Sequence, residues 1–206
     1  ISPVWYSVLS RRGFFATNEL ATFRKINSRL QGHPAIEEGL PGIRIASGSL
    51  GQGLSVGIGA ATTKKLAGEK NWVYTLHGDG ELQEGQIWEA AMYAAHNKID
   101  NMVSFIDCNG QQIDGCTEDV LSLIDLGAKW AAFGWRVLKC DGHDLEDIGR
   151  VIAEAKSHLG SGVPTVVLMK TEMGKGVDFM MGSHKWHGVA PNPEQLEIAL
   201  DQLDET

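Results

Sequence analysis

Asp79 stands between two glycines, and Asn109 follows thirty positions later. Each closes a short apolar stretch. Trp72-Val73-Tyr74-Thr75-Leu76 runs into Gly78-Asp79-Gly80, and Met102 to Ile106 runs into Asp107-Cys108-Asn109-Gly110. If these stretches are adjacent parallel strands, both oxygen-bearing side chains reach the same edge of the sheet, where ligands of such sheets bind. A carboxylate, an amide oxygen and a backbone carbonyl leave room for two phosphate oxygens and a water. That is an octahedral all-oxygen set suited to magnesium. A helix starting near Glu81 would aim its amides at the same place, and glycine lets a diphosphate come close. Taken singly, Gly-Asp-Gly and Asn-Gly are also ordinary turns.

Charge bears on this reading. With 18 basic and 26 acidic residues the net charge is −8, which argues against nucleic acid or an anionic membrane as the main partner. Phosphate binding would then draw on a divalent cation and a helix terminus in place of lysines. The 206 residues are 43% hydrophobic and 21% charged, a globular composition long enough to bury a core. No apolar run approaches the ~18 residues of a membrane span. Cys108, Cys116 and Cys140 form no C-x-x-C pair and read as reduced thiols, which suits a cytoplasmic location. The chain opens in mid-pattern without an initiator methionine, so a missing first segment is expected.

The elements that must position these residues follow from periodicity and punctuation. Helices are expected over 3–12 and 17–28, then a loop over 31–47 and a helix over 50–66 that carries Gly51, Gly53, Gly57 and Gly59. Strands near 72–76, 102–106, 135–138 and 165–169 alternate with helices over 82–96, 123–133 and 145–158. A Gly-rich loop over 171–192 and a helix over 193–203 complete the chain. This rhythm predicts an α/β fold, a doubly wound, mostly parallel sheet with helices on both faces. We expect a single domain over 1–206, with amino-terminal helices and loop over 1–47, a core over 48–170, and an active-site loop and last helix over 171–206. No G-x-G-x-x-G follows a strand, which argues against a nicotinamide-binding domain.

Further stretches agree with the two motifs. Gly48-Ser49-Leu50-Gly51-Gln52-Gly53, Gly78-Asp79-Gly80-Glu81-Leu82-Gln83-Glu84-Gly85 and Asp107-Cys108-Asn109 with Ile113-Asp114-Gly115 closely resemble transketolase. So do Ser28-Arg29-Leu30-Gln31-Gly32-His33-Pro34 and Lys185-Trp186-His187-Gly188, in family order across nearly the whole chain. The resemblance implies a thiamine diphosphate site. Asp79 and Asn109 would ligate Mg2+ (or Ca2+ or Mn2+ in its place), with the main-chain carbonyl of Gln111 as a third ligand. Gly80 would approach the diphosphate. Gly48, Ser49 and Leu50 would line the pyrimidine end of the cofactor, and Ile113 would pack against the thiazolium. Glu84 matches an acidic residue that couples active sites across a subunit interface. His33 and His187 match histidines around the reactive carbon and the sugar hydroxyls, where orientation and proton transfer are needed.

Other readings stay open beside these. His184, three positions before His187, competes for the same role, while a zinc site from the pair lacks cysteine or carboxylate neighbours. His77 stands where the family often has an apolar or small residue and reads as a local variation. The family has a histidine-containing segment before the position of Ile1, and its single-chain members continue well beyond the position of Thr206. The resemblance therefore implies the amino-terminal subunit of a split transketolase, apparently lacking its first segment. It would pair with a carboxy-terminal subunit that holds the pyrimidine, as α2β2 or around a homodimer of this chain. The expected reaction moves a two-carbon ketol unit from a ketose phosphate to an aldose phosphate, as in the pentose phosphate pathway. A specialised sugar and a non-catalytic paralogue are the alternatives. A deoxyxylulose phosphate-forming thiamine enzyme fits Ser49-Leu50-Gly51-Gln52-Gly53 less well.

Overall fold

A computed structural model describes residues 2–46 and 48–204. Two compact units divide the chain, residues 1–52 and 53–206, each with a core of its own.

In the first unit, helix α1 (Ser2–Arg11) carries Pro3 in its first turn and stops at Gly13, whose φ of +80° suits a residue without a side chain. Tyr6 and Leu9 share one helix face and bury it against Phe15, Leu30, Leu40 and Ile43. The helix expected over 17–28 is only a 3₁₀ turn, Thr17–Thr22. Beyond it Arg24 and Asn27 take φ of 58° and 64°, and Ile26 is 93% exposed. Side-chain hydrogen bonds replace the helix there. Ser28 Oγ accepts from Leu30 N–H at 3.0 Å and lies 2.7 Å from Thr22 Oγ1.

The second unit is built on four parallel strands in the order β1-β2-β6-β5. These are β1 (Val73–Gly78), β2 (Met102–Cys108), β5 (Arg136–Asp141) and β6 (Thr165–Lys170). A separate two-stranded hairpin, β3 (Gln111–Gln112) with β4 (Gly115–Cys116), follows β2 directly. Alternation along each strand assigns the faces. Met102, Ile106, Val166 and Leu168 point toward α2 (Gln52–Leu66), α3 (Gly85–His96) and α5 (Leu126–Ala132), which bury Leu54, Ile87 and Trp130 against them. Val103 and Val167 point the other way, against Val151 and Ala155 of α6 (Leu145–Ser157). Helices therefore cover both faces of a parallel sheet, as the sequence predicts.

Three local differences matter for the site. The stretch read as one helix over 82–96 is a 3₁₀ turn, Gly80–Gln83, broken at Glu84 (φ −74°, ψ 127°) before α3 begins. The helix expected over 123–133 begins only at Leu126, as α5, capped by Asp125, which accepts from Ala128 N–H at 2.9 Å, and a separate short helix, α4 (Thr117–Leu121), precedes it. The 171–192 stretch holds turns and one 3₁₀ segment, His184–Trp186, before α7 (Pro193–Asp204). Of the glycines in α2, Gly57 has a clear cause: a Cβ there would stand 2.4 Å from Thr75 Cγ2 of β1. Gly59 faces open space, and nothing in this chain explains it. Among the described residues no helix is long and apolar enough to cross a membrane.

Candidate functional site

β1 and β2 run in parallel register with Gly78 opposite Asp107, so their carboxyl ends finish side by side. Asp79 extends the ladder by one bond, its N–H donating to Asp107 carbonyl at 3.0 Å. Its side chain then turns to the loop after β2. One carboxylate oxygen, Oδ2, accepts from Gly110 N–H at 2.7 Å, and Oδ1 accepts from Gly80 N–H at 2.8 Å. The two chemistry-bearing loops, thirty residues apart in sequence, are thus joined through the Asp79 carboxylate.

Asn109 is half-buried beside it. Its Nδ2 donates to Asp107 Oδ1 at 3.4 Å, which directs the amide oxygen the other way, where it accepts from Gln111 N–H at 2.8 Å. Thr171 Oγ1 donates to the same Asp107 oxygen from the end of β6. Gly110 takes φ of +74°, turning the chain into the hairpin. Gly80 packs so closely on that hairpin that a Cβ would stand 2.7 Å from Gln112 Cβ. Gln83 Nε2 donates to Leu121 carbonyl at 2.9 Å, and Gln112 Nε2 donates to Gln83 Oε1 at 3.3 Å, tying the turn after Asp79 to the segment after Asn109.

Electrostatics mark the same spot. Burial pushes the Asp79 carboxyl above its ordinary value, against the N–H groups of Gly110 and Gly80, while Asp107 adds to the rise. Burial, then Asp79 and Asp107, push the Cys108 thiol up to about 12, so it is no nucleophile. Among the described residues no Lys, Arg or His lies within ion-pair distance of Asp79. A buried carboxylate without a cation is costly, and a metal ion would remove that cost. The donors also suit a hard cation. Asp79 and Asn109 each retain lone pairs beyond the N–H groups they accept, and the Gln111 carbonyl lies on the same loop. No three His, Cys, Asp or Glu side chains cluster for a metal among the described residues, so the remaining ligands would come from a diphosphate and water.

The other expected residues fall as follows. Ile113, at the hairpin tip, is 66% exposed and available to a ring. Glu84 is exposed at the start of α3 and caps it with no side-chain hydrogen bond. His187 is exposed at the end of the 184–186 turn, and that turn lies against β4. His184 is half-buried in the same turn. In the first unit His33 is exposed and packs on Gly48, where a Cβ would stand 3.1 Å from His33 Cβ and Cγ. Ser49 and Leu50 follow, both exposed. Asp107, Thr171, Gln83 and Gln112 were not singled out from sequence. Asp107 lies inside a quoted motif and could have been found there, whereas the Thr171 contact spans 64 residues and leaves no local signal.

The family described as "Transketolase, thiamine diphosphate binding domain" matches residues 2–203. An apulose-4-phosphate transketolase subunit from Phocaeicola vulgatus is 42% identical over 200 residues, 97% of this chain and 70% of the relative. The 6-deoxy-6-sulfo-D-fructose transketolase subunit SqwG of Clostridium sp. strain MSTE9 is 37% identical, over 98% of this chain and 72% of the relative. Among solved structures, transketolase from Campylobacter jejuni superposes with a TM-score of 0.82 at 34% identity, covering 91% of this chain and 30% of that one.

Proposed function

The chain belongs to the transketolase family, through its thiamine diphosphate-binding domain, and on that premise we propose that it is the cofactor-anchoring, amino-terminal subunit of a split transketolase. With a carboxy-terminal partner subunit it transfers a two-carbon ketol unit from a ketose phosphate to an aldose phosphate. The observation that carries this reading is the Asp79 carboxylate, buried without a cation and joined to the Asn109–Gly110 loop at 2.7 Å. Asp79, Asn109 and the carbonyl of Gln111 would hold Mg2+ at the diphosphate end of the cofactor. The chemistry supplied by bound thiamine diphosphate is an electron sink for breaking one carbon–carbon bond and forming another.

The chain's own residues bind and orient. Gly80 and the 80–83 turn keep the hairpin close, and Ile113 at its tip would meet the thiazolium. Gly48, Ser49 and Leu50 line the pyrimidine end. By the family resemblance His33 and His187 would each hydrogen-bond sugar hydroxyls and move protons at them. Glu84, exposed and unengaged, reaches toward a neighbouring subunit. Glu84→Ala should leave cofactor binding intact and lower turnover about tenfold or more, read as kcat against cofactor Kd; unchanged turnover would make Glu84 structural.

The names of the split relatives favour a second, narrower reading, in which the sugar is a specialised one such as a branched or sulfonated ketose. The test is to purify the complete natural protein with the subunit that accompanies it and assay two-carbon transfer. A panel of ordinary and branched ketose phosphates is needed, with and without Mg2+ and thiamine diphosphate. Cofactor-dependent transfer supports the proposal and the panel identifies the sugar. Cofactor binding without transfer on any member would favour the non-catalytic paralogue.

A further inference from the structure

His77 is 2% exposed on the α2 side of β1, and among the described residues neither of its ring nitrogens has a hydrogen-bond partner. Its Cε1 lies 3.6 Å from where a Cβ on Gly53 would stand, beneath the first turn of α2. Its Nδ1 stands 3.1 Å from Glu81 Oε1, within ion-pair reach but not aligned as a hydrogen bond. The other Glu81 oxygen, Oε2, accepts from Gly78 N–H at 3.3 Å. β1 is the edge of the sheet. The N–H groups of Val73 and Asp79 go to β2, so that of Gly78 faces away from the ladder, and Glu81 is what satisfies it.

Residues 77, 78 and 81 are thereby drawn together around Asp79. Two glycines flank Asp79 and leave its backbone free to take other conformations. As described, its carboxylate faces the Asn109 loop and accepts from Gly110 N–H at 2.7 Å. A buried ring whose nitrogens make no aligned hydrogen bond costs stability, and a leucine would fill the same space without that cost. We infer that Glu81 and His77 are positioning residues, a buried clamp that holds the Gly-Asp-Gly turn in its metal-binding conformation. The inference rests on the reading of Asp79 as a ligand given above. It gives His77 a task that the sequence alone does not suggest.

The test titrates Mn2+ against the complete natural protein with thiamine diphosphate and its accompanying subunit, following free Mn2+ by electron paramagnetic resonance. Urea unfolding of the metal-free protein runs alongside. His77→Leu should raise the Mn2+ dissociation constant about tenfold, as loss of a partner behind a metal's ligands does, while the unfolding midpoint holds or rises. Glu81→Gln keeps an oxygen for Gly78 N–H and should lose less affinity than Glu81→Ala. Mn2+ affinity within about twofold of wild type in His77→Leu and Glu81→Ala overturns the clamp. So does an affinity loss matched by an equal loss of stability, because a purely structural role moves both together. Wild-type protein that binds Mn2+ no better with thiamine diphosphate than without it overturns the ligand reading itself, and the clamp with it.

Discussion

At the amino-terminal end of the parallel sheet, the buried Asp100 meets Lys65 Nζ at 2.8 Å and the N–H of Gly162 at 2.8 Å. At the carboxyl end, the equally buried Asp79 meets, among the described residues, only N–H groups. The shifts run in opposite directions. Burial lifts Asp79, whereas at Asp100 burial is outweighed by Lys65 and Gly162, and the carboxyl is held below its ordinary value. Asn101 follows the amino-terminal pattern in part, donating to Ala61 carbonyl at 2.9 Å while its Oδ1 goes without a partner. One edge closes the fold with ion pairs and hydrogen bonds. The other leaves a carboxylate and an imidazole incompletely matched, which is where sequences commonly trade local consistency for function.

The largest test of this contrast is Asp79→Asn. Removing the charge should weaken Mg2+-dependent thiamine diphosphate binding by about a hundredfold or more in calorimetry, while the metal-free protein unfolds at the same urea concentration or a higher one. Binding that survives would take Asp79 out of the site. Asp100→Ala should do the reverse. It leaves the Gly162 N–H unpaired and should cost about 1–3 kcal/mol in urea unfolding, with the cofactor affinity of the folded protein unchanged. The half-exposed Lys65 adds little to that figure. A smaller effect concerns pH. Asp100 has a folded pKa below its unfolded value, so the unfolded chain takes up the proton first. Its contribution is full above the ordinary aspartate value of 3.8 and is lost as pH falls through the depressed one. The stability gap between wild type and Asp100→Asn, followed by urea unfolding at stepped pH, should narrow in that acid range. A gap that is constant with pH would mean the carboxylate's charge contributes nothing.

How much of this was legible before the structure depended on how local each signal is. Strands such as Thr165 to Met169 are buried on both faces, so they appear as unbroken apolar runs, and the parallel α/β order follows from their spacing. Asp79 and Asn109 were legible because strand ends bring them together by register alone. The 17–28 stretch was misread because Ser28 and Thr22 offer the backbone other partners, which helix propensity does not register. The hairpin at 111–116 was missed because each arm is two residues long, too short for any alternation to show. His77 looked like a local variation since nothing in the sequence places it beneath Gly53 or beside Glu81.

The sheet order also sets the sequence in which these parts can assemble. The bond from Gly110 to Asp79 closes 31 residues, while that from Gly162 to Asp100 closes 62, and β2 must wait for β6 to gain its second neighbour. Longer closures are slower and entropically dearer. The β1–α3–β2 segment precedes β5 and β6 in the chain, so the closure that joins Gly110 to Asp79 is the entropically cheaper one. Until β6 brings Thr171 to Asp107, the Asp79 and Asp107 carboxylates share one end of the sheet with hydrogen bonds from the Gly80 and Asn109–Gly110 segments alone.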